Sequence, residues 1–185
     1  MVKELERLQS FRTNSILTDP PSYQNQGNIT IFIDGSHLFY AASLLDLKIN
    51  YLRLLNYLTK GAKSFKAFFY TGFDPNDSKQ KYFCHKLNNN GYLVITKDLT
   101  QLTRKPGKSL LTLEIAVDLI KLVPYYETAI VLSGDGNLTK AIDTVTYRGA
   151  RVELVSLRTM TSEKLMNIAD SYTDLATIKK VIERF

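Results

Sequence analysis

The chain has a single cysteine, Cys84, and two histidines in 185 residues, which removes several chemistries at the outset. One thiol cannot close an internal disulfide or build a cysteine-rich metal site, so nothing argues for an oxidising compartment, and the cytoplasm is the expected location. No apolar run approaches the roughly 18 residues that a spanning helix needs. The opening "MVKELERLQS" also lacks the apolar core of a signal peptide. Neither membrane insertion nor export is expected. Nucleotide-binding signatures are missing too. The first apolar run ends in "DGSHLF", not G-x-G-x-x-G, and places an acid where a pyrophosphate would approach. "KPGKSLL" has a Lys-Ser pair but lacks the earlier glycine of a phosphate-binding loop. With two histidines and no nucleophile elbow, a Ser-His-Asp hydrolase is excluded as well.

What is present suits one domain. A 44% hydrophobic content over 185 residues is enough for a sizeable core. The net charge of +6 is unevenly placed. Between Ser78 and Lys108, Lys79, Lys81, Lys86, Lys97, Arg104, Lys105 and Lys108 face only Asp98, a local balance of 7 − 1 = +6. The remaining 17 basic and 17 acidic residues cancel. A segment carrying the whole excess suits an anionic partner such as nucleic acid, through phosphate contacts and counterion release. A solvated lysine-rich helix face is the plainer alternative.

Residues 1–28 combine a short polar stretch with "TNSILTDPPSYQNQGN", whose Asn, Pro, Gln and Ser content reads as an extension and linker. The folded domain is expected over 29–185. Five apolar, β-branched runs read as strands: 29–34, 65–72, 92–97, 129–134 and 150–157. Helical spacing occupies 36–47, 51–59, 77–90, 111–122 and 137–147, and a last helical stretch from Ser162 onward is expected to pack outside the sheet or against a partner. Gly91 and Gly149 suit left-handed helix ends. Strands alternating with helices imply an α/β fold with a mostly parallel five-stranded sheet and helices on both faces.

In such a sheet, ligands bind beyond the carboxyl ends of the strands, where strand order reverses. Asp34 closes the first strand and Asp135 follows the fourth. If those strands are neighbours, the two side chains converge and offer oxygen ligands to a hard cation such as Mg²⁺. Taken singly, Asp34 reads as a helix cap and Asp135 as the brace of a glycine turn. Asp118 lies four residues after Glu114 on one helix face, as a supporting acid or a surface charge. His37 is placed either to contact a phosphate or, more simply, to pack against the sheet at a helix start.

These residues resemble the NYN domains, PIN-like metal-dependent nucleases. "IFIDGSHLFY" resembles their opening D-G-x-N motif and "VLSGDGNLTKAI" their S-G-D-G-D-F motif. "LEIAVDLI" (113–120) and "SEKLMNIADSYTDL" (162–175) resemble the central helix and C-terminal signature of the LabA-like branch. Four motifs in order are far more specific than any one of them. The resemblance implies a PIN-like Rossmannoid three-layer fold, an acidic pocket that binds Mg²⁺ or Mn²⁺, and cleavage of RNA. It assigns catalysis to Asp34, Asp118 and Asp135 and metal binding to Asp34, Asp135 and Asn137; substrate contacts are expected at Ser36, Ser133 and Thr112 and, from the charge distribution, at Arg104, Lys105 and Lys108.

Three positions depart from the family pattern. Ser36 is read as standing for the usual Asn, Thr112 replaces an acid six residues before the helix acid, and Asn137 replaces the second acid of S-G-D-G-D. An amide at 137 can accept a hydrogen bond, cap a helix or coordinate weakly, but it supplies no negative charge. Glu114 does not compensate, because a two-residue offset points about 200° away on a helix. Weak metal affinity is therefore expected. Two functions follow from the resemblance: a metal-dependent ribonuclease with a partly degraded site, or a weak or inactive LabA-like regulatory module that binds RNA, a protein partner or a second copy. Regulators of cyanobacterial circadian gene expression belong to that branch.

The charge distribution generates the first prediction. Replacing Arg104, Lys105 and Lys108 with Ser should flatten the salt dependence of RNA binding by roughly one unit of log–log slope per lost phosphate contact. Titrations of labelled single-stranded RNA at several salt concentrations measure it, and an unchanged slope assigns these side chains to a solvated face.

Overall fold

The computed structural model describes residues 27–98 and 109–184. The linker reading of 1–28 therefore lies outside the described residues apart from Gly27 and Asn28, and Asn28 already belongs to the first strand. Arg104, Lys105 and Lys108 also lie outside them.

Six strands form one sheet: β1 (Asn28–Asp34), β2 (Ser64–Phe73), β3 (Leu93–Asp98), β4 (Thr128–Leu132), β5 (Arg151–Ser156) and β6 (Ser171–Asp174). Their order is β3-β2-β1-β4-β5-β6, and every pair is parallel. The chain runs outward from β1 to β3, returns to β4 beside β1, and runs outward again. Strand order thus reverses between β1 and β4, the two strands that carry the acids.

Among the described residues, seven α-helices connect or follow the strands: α1 (Gly35–Leu44), α2 (Tyr51–Leu58), α3 (Ser78–Asn89), α4 (Ser109–Leu122), α5 (Thr139–Tyr147), α6 (Glu163–Ile168) and α7 (Leu175–Ile182). Side chains alternate across β1, and each face has its own core. Ile29, Ile31 and Ile33 pack with Leu38 and Ala41 of α1, Leu54 and Leu58 of α2, Leu87 of α3, and Ile178 and Ile182 of α7. Phe32 points the other way and packs with Ile115 and Leu119 of α4, Ile142 and Val145 of α5, and Leu165 of α6. The period-two alternation of a half-and-half strand thus becomes a three-layer fold. Gly91 and Gly149 carry φ of +93° and +91° just past α3 and α5, as their positions predicted. Among the described residues, no helix is long and apolar enough to cross a membrane.

The C-terminal region corrects the expectation of five strands and one closing helix. From Ser162 the chain forms α6, then strand β6 along the edge of β5, then α7. The break falls at "ADSYTD". Asp170 accepts the Val152 N–H (2.8 Å), the Tyr172 hydroxyl donates to the Ser156 carbonyl (2.9 Å), and Asp174 caps α7 by accepting from the Ala176 N–H. An Asp, a β-favouring Tyr-Thr pair and a second Asp at a cap outweigh helical spacing over so short a run. The apolar positions are nonetheless covered: Leu165, Leu175, Ile178 and Ile182 are buried, and Met166, Ile168 and Ala169 are half-buried.

Two stability predictions follow. Leu165→Ala and Ile182→Ala should each cost about 2–5 kcal/mol in urea unfolding, against less than about 0.5 kcal/mol for the exposed Lys180→Ala. The second concerns buried tyrosines whose hydroxyls must stay protonated to donate: Tyr92 to the Tyr51 carbonyl and Tyr126 to the Leu119 carbonyl, each at 2.7 Å. Burial pushes the Tyr51 hydroxyl up to about 12 and raises those of Tyr92 and Tyr126 further. The unfolded chain loses these protons near pH 10 while the fold keeps them. Stability is therefore full below pH 10 and falls as pH rises beyond it, by about 1.4 kcal/mol per pH unit for each tyrosine held neutral. Urea midpoints across the alkaline range should show this, with a shallower fall in Tyr92→Phe.

Candidate active site at the carboxyl edge

Both acids at the switch point are helix-start caps. Asp34 ends β1 and accepts the His37 N–H on Oδ1 (3.0 Å), closing the first turn of α1. Asp135 follows β4 and accepts the Asn137 N–H on Oδ1 (3.0 Å), closing the 3₁₀ turn Gly136–Leu138 that leads into α5. The second oxygen of each carboxylate takes a hydroxyl. Ser133 donates to Asp34 Oδ2 at 3.2 Å, and Thr112 donates to Asp135 Oδ2 at 2.8 Å. Ser133 Oγ also accepts the Asp135 backbone N–H at 3.3 Å. One buried serine thus joins the two acids. The structure shows the capping roles directly, and capping leaves lone pairs on every carboxylate oxygen.

The electrostatics of this pair are unusual. Asp34 is buried, at 6% exposure, and its donors are all neutral. Among the described residues, the salt bridges are Lys97–Glu114, Lys140–Asp143 and Arg151–Glu153, and none reaches Asp34 or Asp135. Two carboxylates, two hydroxyls and a nearby amide form an all-oxygen donor set. That chemistry fits Mg²⁺ or Mn²⁺, which are held by one or two carboxylates with the remaining positions left to water or phosphate. The charge is low. Among the described residues, no group of three or more His, Cys, Asp or Glu is placed to hold a metal ion.

Asp118 does not join this pair by any hydrogen bond. It accepts from the Tyr70 hydroxyl at 2.8 Å, on the β2 side of α4. Burial raises the Tyr70 pKa most, and the hydrogen bond and charge of Asp118 and the charge of Glu114 raise it further. Glu114 and Asp118 share a helix face, as their spacing predicted. Glu114 pairs with Lys97, so it does not substitute for an acid at 112. Thr112 itself is buried, at 3% exposure, and directed at Asp135.

Of the options open to Asn137, the cap is taken by Asp135: Asn137 lies second in the 3₁₀ turn with its side chain exposed. In the D-G-x-N pattern, the fourth place falls on His37, whereas Ser36 is the free third position. The His37 ring is held by the Gly134 main chain and Ser156. The Gly134 N–H donates to Nδ1 (3.3 Å), so Nε2 carries the proton and donates to Ser156 Oγ (2.7 Å). Thr161 spends its one hydroxyl proton on the Leu157 carbonyl (2.7 Å), which leaves Ser156 to donate to Thr161 Oγ1 (2.7 Å). The packing reading of His37 is the one observed, at 8% exposure. Gly134 lies between this ring and the next loop. A Cβ there would sit 2.2 Å from the Met160 carbonyl oxygen and 2.6 Å from His37 Cε1.

Sequence reasoning missed Tyr70, Ser156 and Thr161. Tyr70 pairs in register with Asp34 at the same sheet edge, but in sequence it reads as a core strand aromatic. Ser156 lies 119 residues from His37 and had none.

The comparisons agree with this geometry. A protein of unknown function from Vibrio parahaemolyticus, known from its crystal structure, superposes with a TM-score of 0.71 over 86% of this chain and 96% of its own, at 21% identity, which supports the fold. The low amplitude and bright protein LabA of Synechococcus elongatus is 32% identical over 165 residues, covering 84% of this chain and 88% of LabA. The NYN domain matches residues 28–176, from the first residue of β1 into α7. With its acids at the β1/β4 switch point and a LabA-like sequence over most of its length, the chain belongs to the NYN domain family.

Proposed function

We propose that the carboxyl edge binds RNA and acts on its phosphodiester backbone with Mg²⁺ or Mn²⁺ held by Asp34 and Asp135, slowly, because the site is short of negative charge. The observation that carries this reading is the pair itself: two carboxylates joined through Ser133, with neutral donors only and no cationic side chain paired to either among the described residues. A divalent cation there supplies charge to offset the phosphodiester and lowers the pKa of water. The protein's own part is positioning. Ser133 fixes Asp34, Thr112 fixes Asp135, and Tyr70 holds Asp118 as the third acid on the β2 flank. Ser36, in the first turn of α1, and the Arg104, Lys105 and Lys108 group are the proposed RNA contacts, and Asn137 adds a neutral oxygen at the rim.

A second reading has its own support. All four oxygens of Asp34 and Asp135 already accept a neutral donor, so the edge is satisfied with no cation at all. That suits a regulatory module that binds RNA or a protein partner without turnover.

One set of variants separates the two. Thr112→Asp removes a hydroxyl 2.8 Å from Asp135 and puts a like charge in its place. The metal-free protein should lose about 1–3 kcal/mol, because the carboxylates repel and raise each other's pKa. Combined with Asn137→Asp, it should bind Mn²⁺ more tightly than the wild type and cleave unstructured RNA faster. Thermal melts with and without Mn²⁺, beside gel assays with an Asp34→Asn control, measure this. A wild type that already cleaves as fast as the double variant, and stops in the control, makes Asn137 a working part of the site. A double variant that binds no more Mn²⁺ than the wild type shows that Asp34 and Asp135 do not share an ion. Regulation without turnover predicts no cleavage by the wild type at any Mn²⁺ concentration.

A further inference from the structure

On the same sheet edge as Asp34, but on the other face from Asp135's contact with α4, a cleft of about 230 Å³ opens between α1 and α3. Its lining is Gly35, Phe39, Phe69, Thr71, Gly72, Gln80, Phe83 and Cys84. Gly35 directly follows Asp34, and Thr71 and Gly72 lie at the carboxyl end of β2, so the cleft abuts the acidic edge. Three of its walls are aromatic rings. Phe69 is buried and meets Phe83 edge-on at 6.0 Å, whereas Phe39 is 68% exposed. A large aromatic side chain left open beside a cleft offers a stacking surface.

The polar groups in the cleft are few and directional. Gln80 accepts the Asp74 N–H through Oε1 at 2.9 Å, which fixes its amide and leaves both Nε2 hydrogens as donors. The Thr71 hydroxyl donates to the Gly72 carbonyl at 3.1 Å, which leaves its oxygen as an acceptor. A flat aromatic ligand with donors and acceptors on its edge matches this set. On α3, the exposed Lys79 and Lys81 flank Gln80 on either side and can draw a phosphate backbone to the cleft.

We propose that the α1/α3 cleft seats one unpaired base of single-stranded RNA, stacked on Phe39 and read at its edge by Gln80 and Thr71, with flanking phosphates drawn to Lys79 and Lys81. The proposal rests on the RNA reading above and adds a base subsite on the β2 side of the acids. It makes the protein a binder of unstructured strands, since a base in a duplex cannot reach the cleft.

The test compares labelled oligo(A) with an oligonucleotide of equal length carrying central abasic sites, by fluorescence anisotropy. The wild type should prefer oligo(A) by about tenfold, the worth of one base–aromatic stack. Phe39→Ala should abolish that preference without changing the salt slope, and Phe39→Tyr should keep it. Phe39 is exposed, so Phe39→Ala should fold, which a thermal melt verifies. Cys84 is the chain's single cysteine and lines the cleft, so iodoacetamide labelling gives a second readout. Oligo(A) should slow it and the abasic strand should not. If oligo(A) binds but neither Phe39→Ala nor the labelling rate responds, the base subsite is wrong and the RNA reading stands. If neither oligonucleotide binds at low salt, both fall. If an acidic peptide bearing phenylalanine protects Cys84 and oligo(A) does not, the cleft takes a protein partner and the proposal is overturned.

Discussion

Ser133 is the hinge of the structure's chemistry. A parallel sheet whose order reverses at β1/β4 sends the two following helices to opposite faces, and the crevice between them exposes two strand ends that each finish in an acid. Two like charges side by side at a buried edge need something between them. The fully buried Ser133 hydroxyl donates to Asp34 and accepts from the Asp135 backbone. It therefore sets the position of one carboxylate directly and of the other through its main chain. Every other element of the edge is arranged around that link: α1 and the 3₁₀ turn are capped by the two acids, and α4 approaches to let Thr112 reach Asp135.

The same edge is tied to the C-terminal third of the chain through His37. Its ring accepts a hydrogen bond from the Gly134 N–H and donates one to Ser156 at the end of β5, and Ser156 continues the chain to Thr161. Ser162 N–H in turn donates to the Gly134 carbonyl at 3.0 Å. The turn that carries Asp135 is thus held through both main-chain groups of one residue, Gly134. The absence of a side chain at Gly134 is what permits it, since a Cβ would meet the Met160 carbonyl. In this chain the fourth residue of the opening motif is a structural strut facing away from solvent.

Much of this was legible in the sequence. Apolar β-branched runs ending in Asp-Gly marked β1 and β4, and the rule that parallel sheets bind ligands at a reversal of strand order placed both acids together if those strands are neighbours. The Glu114/Asp118 face and the glycine helix ends followed from spacing alone. What escaped did so for physical reasons. β6 is four half-buried residues on a sheet edge, too short for a period-two pattern to show against helical neighbours. Tyr70 sits in "FKAFFYTG", where an aromatic strand residue reads as core, and its hydroxyl bond to Asp118 spans 48 positions. The α1/α3 cleft depends on how far two helices stand apart, which no linear pattern encodes.

The replacement of an acid by Thr112 has a consequence that reaches beyond affinity. A carboxylate at that place would oppose Asp135 and leave the edge dependent on a bound cation for its stability. A hydroxyl instead satisfies Asp135 as a neutral donor, so the metal-free edge is already at rest. Cation binding must then displace or share hydrogen bonds that cost nothing to keep, and it gains only two carboxylates in return. On the proposed reading, the missing attraction has to come from the substrate, because a phosphodiester brings its own negative oxygens to the ion. Metal and RNA should therefore bind with positive coupling, each weak alone and tighter in the presence of the other. That is the behaviour of a site in which turnover, if it occurs, waits on the strand rather than on the metal.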